Sequence, residues 1–219
     1  MTESMITLVN NFNEAFPNCQ MSDVSERTSV IESSNEDNGK FRELELTDIN
    51  GYTFCDGFAG KLNSFASISG HKRCLSNNCD GIHIFEHNGE KYLMLSELKS
   101  KYITDDIVKA KEQLIGTYLN LMAVLHLLQG FDVQDYHIFG VIAAYKPSNE
   151  ALSAISKHDD KKSAFAIQLN ANQRYFMPAH KCQRFYYPLN VGDFLIIYVP
   201  VDNNTQKCSV SIEEILERV

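Results

Sequence analysis

An α/β fold is predicted, with a central mixed sheet of at least four strands flanked by helices and extra strands toward the C terminus. Three observations predict it. Gly81-Ile-His-Ile-Phe-Glu86 and Lys91–Lys99 are strand-like runs joined by His87-Asn88-Gly89, a good hairpin turn. From Thr104 to about Gln129, apolar residues recur at helical spacing. His137–Tyr145 is a continuous apolar run, as in a strand covered on both faces.

Taken in order, residues 5–16 have the spacing of an amphipathic helix that stops at Pro17. Residues 18–40 are rich in Ser, Glu, Asp and Asn and are expected to form a surface loop. Phe41–Leu46 alternates apolar and charged residues, which suits a half-exposed strand, and Asn50-Gly51 is expected to turn it into a second strand through Cys55. A short helix is possible before Gly70. After the hairpin, Thr104 is the expected cap of the long helix, and Asp105 and Asp106 lie in its first turn, where carboxylates suit the helix dipole. Gly130 ends it. Its second half is apolar nearly all round, so it is either the central core helix or part of a subunit interface. A short helix from Asn149, a charged loop over Lys157–Lys162, and strands over Phe165–Leu169 and Asp193–Pro200 follow. Ser211-Ile-Glu-Glu214 opens a terminal helix as a capping box.

At 219 residues, the chain suits one domain: a core over about 40–145, an acidic N-terminal segment 1–40 and a C-terminal extension 146–219. The first residues lack a basic start followed by an apolar core, and the six cysteines (19, 55, 74, 79, 182 and 208) are read as reduced thiols of a cytoplasmic protein. The longest apolar stretch contains Gly116, Asn120 and His126, which argues against a membrane span. Net charge is −8, yet residues 1–50 hold ten acidic and three basic residues, so the rest is nearly neutral. Basic pairs occur at Lys72/Arg73, Lys99/Lys101 and Lys109/Lys111, with no continuous basic stripe.

The chemistry-bearing segment is Tyr92–Ser100. In a strand, residues two apart share a face, so Glu97 and Lys99 project together at the end of an otherwise apolar run. If the hairpin forms, Asp80 reaches the same spot. Two carboxylates and a lysine at a sheet end suit Mg²⁺ or Mn²⁺ and an activated water, which is equipment for cutting a phosphodiester. On the following helix Lys109, Gln113 and Gly116 lie on one face.

Asp80, Glu97-Leu98-Lys99, Lys109 and Gln113, in the order strand, hairpin, strand, long helix, buried strand, resemble the core of the PD-(D/E)xK nuclease superfamily. That group includes restriction endonucleases, RecB-type nucleases and many phage-defence nucleases. The resemblance covers roughly residues 40–145. It implies a restriction-endonuclease-like sheet, with Asp80 and Glu97 as metal ligands and Lys99 at the attacking water. Gln113 matches a RecB-type helix position, whereas the Tyr often found four residues later is replaced by Thr117, and Cys79 stands where the family often has Pro. The family's site is often completed by an acidic residue of the first helix, for which Glu14 is the first candidate and Asp56 the second.

The resemblance implies a metal-dependent endonuclease acting on DNA, with RNA left open, within a defence or restriction assembly. No DNA-reading module stands in the sequence, so a homo-oligomer, an ATPase or a DNA-binding partner is expected to supply substrate choice. The alternative is a non-catalytic scaffold or binding subunit that keeps the nuclease-like fold. His71, Cys74, Cys79 and His83 form a weaker zinc candidate, since Cys-x₄-Cys is not a knuckle spacing. No phosphate-cradling glycine loop and no acyl-transfer motif is present, and the scattered cysteines do not suit an iron–sulfur cluster.

Overall fold

A computed structural model describes residues 1–32, 41–55, 57–61, 75, 77–181 and 191–219. Its centre is an eight-stranded mixed sheet: β1 Ser22–Ile31, β2 Glu43–Thr53, β3 Gly81–His87, β4 Glu90–Lys99, β5 Tyr136–Tyr145, β6 Arg174–Met177, β7 Phe194–Val201 and β8 Lys207–Ser211. The spatial order is β1-β2-β3-β4-β5-β7-β6, and β8 pairs with β2. The pairs β1–β2, β2–β3, β3–β4 and β6–β7 are antiparallel, whereas β2–β8, β4–β5 and β5–β7 are parallel. The expected hairpin forms, with Asn88 and Gly89 both at positive φ, as a two-residue turn that follows strand twist requires.

The helices are α1 Glu3–Ala15, α2 Phe58–Lys61, α3 Thr104–Leu125, α4 Asn149–Ser156, α5 Lys161–Asn172 and α6 Ile212–Leu216. α1 buries Met5, Leu8, Val9 and Phe12, its 3–4-residue stripe, on the same side as α3 and α5. Leu93 and Leu95 of β4 face that layer. The opposite face, with Met94 and Leu98, is covered by residues of β1, β2, β8 and α6. β5 is buried on both faces because strands and packed layers surround it.

Several sequence expectations need correction. Residues 22–31 are a strand and not a loop; its polar residues are tolerated because β1 lies at a sheet edge, with only Val24 and Val30 buried. Asn50-Gly51 does not turn the chain: β2 runs straight through it. Gly51 is there because β3 comes close, and a Cβ would stand 2.2 Å from the Ile84 carbonyl oxygen and 2.6 Å from Phe85 Cα. Asp48, at φ +58°, is an extra residue in β2 between the pairs Glu26–Ile49 and Arg27–Thr47. The bulge changes which residues point inward, from Leu44 and Leu46 before it to Ile49 and Gly51 after it.

Phe165–Leu169 is helical, not a strand. Asp160 caps the segment through the Ser163 N–H, and Ser163, Phe165, Ala166 and Leu169 are buried at helical spacing. A short apolar run without strict alternation fits both structures, and the cap decides it. Thr104 is the first helical residue of α3 and not its cap; Ile103 holds that place without a side-chain bond. α3 ends at Leu125, four residues before the expected Gln129. The Ser211 capping box forms as expected. Asp56, His71, Lys72, Arg73, Cys74, Cys182 and the helix considered before Gly70 lie outside the described residues.

Gly51→Ala is expected to cost about 3 kcal/mol or more, because the obstructing atoms are backbone and cannot rotate away. Urea unfolding of the variant checks this; a loss below about 1 kcal/mol would mean that β2 and β3 can separate cheaply.

Candidate functional site

Asp80 directly precedes β3, and β4 fixes it twice. Its N–H donates to the Ser96 carbonyl at 2.9 Å, and its Oδ2 accepts the Leu98 N–H at 2.8 Å. The carboxylate therefore lies across the last residues of β4, where Glu97 and Lys99 share the face toward α3. The chain that leads into Asp80 is held by a polar stripe of α3. Gln113 donates to the Asn78 carbonyl (2.8 Å), Thr117 Oγ1 accepts the Cys79 N–H (2.9 Å), and Asn120 donates to the Leu75 carbonyl (3.0 Å). Spacings of four and three residues align these three side chains on one helical flank.

Lys99 Nζ donates to Glu97 Oε1 and, at 2.9 Å, to Gln113 Oε1. Gln113 thus joins the lysine to the chain before Asp80. Glu97 is 1% exposed, and its Oε2 meets no donor among the described residues. Burial pushes Glu97 well above the usual carboxyl range; the charge of Asp80 adds to this and Lys99 opposes it. Burial likewise pushes Asp80 up to about 6, against the Leu98 N–H and Lys99, which favour the charged form.

A third carboxylate acts on both. Glu32, just beyond β1, raises Asp80 and Glu97 by its charge. It reaches them because the β1–β2 ribbon bends over the sheet: Val30 lies against Gly81, where an added Cβ would be 2.8 Å from Val30 Cγ2. The charges of Asp80 and Glu32 thus both bear on Glu97, with Lys99 opposing them.

The structure brings together Asp80, Glu97, Lys99 and Gln113. Lys109 lies one helical turn from Gln113 but is exposed, and among the described residues it forms no hydrogen bond or ion pair. Glu14, the expected third carboxylate, is exposed on α1, away from the buried Met5–Phe12 stripe, and the further carboxylate whose charge acts on Asp80 and Glu97 is Glu32. A helix-one carboxylate was sought, and the strand that delivers Glu32 was itself read as loop. For zinc, Cys79 packs on the helical side of the sheet while His83 lies on the other face beside Val30 and Gly81, so those two do not converge. Burial pushes the Cys79 thiol up to about 12, which makes it an inert core residue. Thr117 and Asn120 were missed; a polar residue at every turn of an otherwise apolar helix is the signal that finds them.

No protein-family model, curated protein or solved structure matches the chain. The resemblance stated above therefore rests on Asp80, Glu97-Leu98-Lys99 and the order of elements. Among the described residues, no group of three His, Cys, Asp or Glu side chains is arranged to hold a metal ion. The donor chemistry still suits Mg²⁺ or Mn²⁺: Asp80 and Glu97 offer hard oxygens, Glu97 Oε2 has an unmet acceptor, and Mg²⁺ keeps several waters of its own. No helix among the described residues is long and apolar enough to cross a membrane.

The raised Asp80 gives a signed pH dependence. The folded chain holds this proton more tightly than the unfolded chain, so stability is greatest below about pH 4 for this group and falls as pH rises through about 6. At about 1.4 kcal/mol per unit, the full loss is on the order of 3 kcal/mol. Asp80→Asn, which can still accept the Leu98 N–H, is expected to raise Tm at pH 7.5 by about 5 °C without divalent ions, with the gap closing near pH 4. An equal Tm gap at both pH values would show that buried charge is not its cause.

Proposed function

We propose that the chain is a Mg²⁺- or Mn²⁺-dependent nuclease that hydrolyses phosphodiester bonds in DNA. One observation carries this reading: half-buried Asp80 and buried Glu97, both raised, meet Lys99 at a single sheet end, with Glu97 Oε2 left without a donor among the described residues. Burying carboxylates in this way costs stability, and their meeting at a lysine suits a functional site more than a structural ion pair. Asp80 and Glu97 would hold the cation, whose chemistry is to lower the pKa of water and offset charge on a phosphate. The Lys99 ammonium supplies a further positive charge beside the reacting phosphate and orients water through its N–H donors. Gln113 fixes where that ammonium stands, by accepting from Nζ while it donates to Asn78. Exposed Lys109 and Lys101 flank this end and suit contacts to neighbouring phosphates.

Cleavage assays on linear, circular and single-stranded DNA and on RNA test the proposal. Glu97→Gln and Lys99→Met are expected to lower cleavage by at least about a hundredfold. Tm should fall little in either, since the Gln removes a buried charge and an unpaired Glu97 can take up a proton. Wild-type cleavage rates in both variants would refute the assignment.

A second reading, a non-catalytic subunit with a nuclease-like fold, draws on the way Lys99 is already bonded to Glu97 and Gln113, which engages the lysine within the fold. An 810 Å³ groove lined by Tyr118, Met122, His126 and Tyr136 suits docking on a homo-oligomeric, ATPase or DNA-binding partner, in either reading. Thermal shift separates the two. A cation held at Asp80 and Glu97 stabilises the fold by about 1.4 kcal/mol at tenfold its Kd, and Glu97→Gln should abolish that gain. No shift at millimolar Mn²⁺ favours the scaffold.

A further inference from the structure

His83 is a buried titratable group outside the carboxylate site. It lies on the sheet face opposite Glu97, is 1% exposed, and neither ring nitrogen meets a hydrogen-bond partner. Its direct neighbours in the ladder are Thr53 of β2 and Met94 of β4, and Ser96 stands opposite Gly81. Thr53 Oγ1 donates to the Phe54 and Ile82 carbonyls, whereas Ser96 Oγ is buried without a partner of its own. From β1, Val30 reaches in. A Cβ on Gly81 would stand 2.8 Å from Val30 Cγ2 and 3.3 Å from His83 Cε1, so valine and imidazole converge over that glycine. Glu32 bears on Asp80 and Glu97 but not on His83; among the described residues no charged group acts on the ring, and burial is what perturbs it.

Such a ring belongs there only while neutral. An imidazolium would bring a charge and a second N–H donor under Val30, where nothing accepts them. The element that can yield is the second half of β1. β1 is an edge strand paired to β2 alone, and Val30 is its one buried residue after Val24. Its register breaks between Glu26 and Arg27, where Glu26 has φ +69°, so the strand already has a hinge there. Beyond that point, the pairs from Arg27–Thr47 to Ile31–Glu43 and the Glu32 N–H to the Arg42 carbonyl hold it down.

We propose that His83 is a proton-operated release for the second half of β1: once the ring is protonated, residues 27–32 lift from Gly81 about the Glu26 hinge and carry Glu32 away from Asp80 and Glu97. The release is independent of the nuclease reading. Burial pushes His83 down to about 4, from 6.5 when solvated, so the lifted form takes up the proton first. The closed form is therefore favoured above pH 6.5 and loses ground as pH falls from there toward 4. Raised Asp80 and Glu97 have the opposite sign, so loosening in acid cannot come from them.

Hydrogen exchange on the full chain at pH 7 and pH 5, corrected for the intrinsic rates, tests the proposal. Opening of residues 27–32 is expected to rise about twentyfold at pH 5, with β4 and β5 unchanged or slower. His83→Leu, which fills similar space and does not titrate, should remove the rise. Opening of 27–32 that ignores pH, an equal rise in β4 and β5, or a rise that persists in His83→Leu would overturn the release. If that variant does not fold, the His83 ring resonances of the wild-type chain decide. A ring still neutral at pH 5 in the closed form supports the release; one that protonates near pH 6.5 while β1 stays protected sinks it.

Discussion

Asp80 is bonded to the end of β4 through both its backbone and its side chain, and the geometry of the whole carboxylate cluster depends on that junction. The N–H to Ser96 continues the antiparallel ladder by one residue, while the carboxylate takes the Leu98 N–H. Each bond is ordinary in strength, on the order of 1 kcal/mol net for a neutral donor and more for a charged acceptor. Their combination matters more than their sum, because together they fix both position and direction of one carboxyl group over Glu97. α3 then secures the approach: without Gln113, Thr117 and Asn120, backbone groups of Leu75, Asn78 and Cys79 would have to be satisfied elsewhere.

The same compactness sets a conflict between stability and chemistry. Burial raises both carboxyls, and each carries its charge in the presence of the other and of Glu32. Lys99 offsets only part of the effect of burial, so the folded chain holds these two protons more tightly than the unfolded chain does. Positive charge brought to these carboxylates would relieve the destabilisation that folding creates there.

Much of this arrangement is legible in the sequence. The hairpin from Gly81 to Lys99, the buried β5 and the spacing of Glu97 and Lys99 all follow from local pattern, because each is decided by alternation, turn chemistry or continuous apolarity. Helix α5 and strand β1 were misread for opposite reasons. In α5, five residues of apolar character suit a strand as well as a helix, and the deciding cap lies outside the run. In β1, an edge position permits so much polarity that the sequence resembles a loop. The second error hid Glu32, whose proximity to Asp80 comes from tertiary bending that no local pattern records. Thr117 was visible only as a departure from the family's tyrosine; its hydrogen bond to Cys79 shows the position has a task of its own.

The bulge at Asp48 constrains how this chain can vary in length. Pairs of strand residues can be gained or lost from β2 without changing which side chains face the core, since alternation repeats every two. A single deletion at Asp48 itself would remove the extra residue and leave Leu44, Leu46 and Ile49 at two-residue spacing on one face, whereas a single deletion outside the bulge would put one half of the ribbon out of phase with the other. The half at risk is the one leading to Val30 and Glu32. Among descendants of this chain, gaps outside the bulge should therefore come in even numbers, and single-residue gaps should fall at the bulge. That extra residue, some distance from any chemistry, is thus the one place where the ribbon that carries Glu32 can change length by one without turning its apolar side to water.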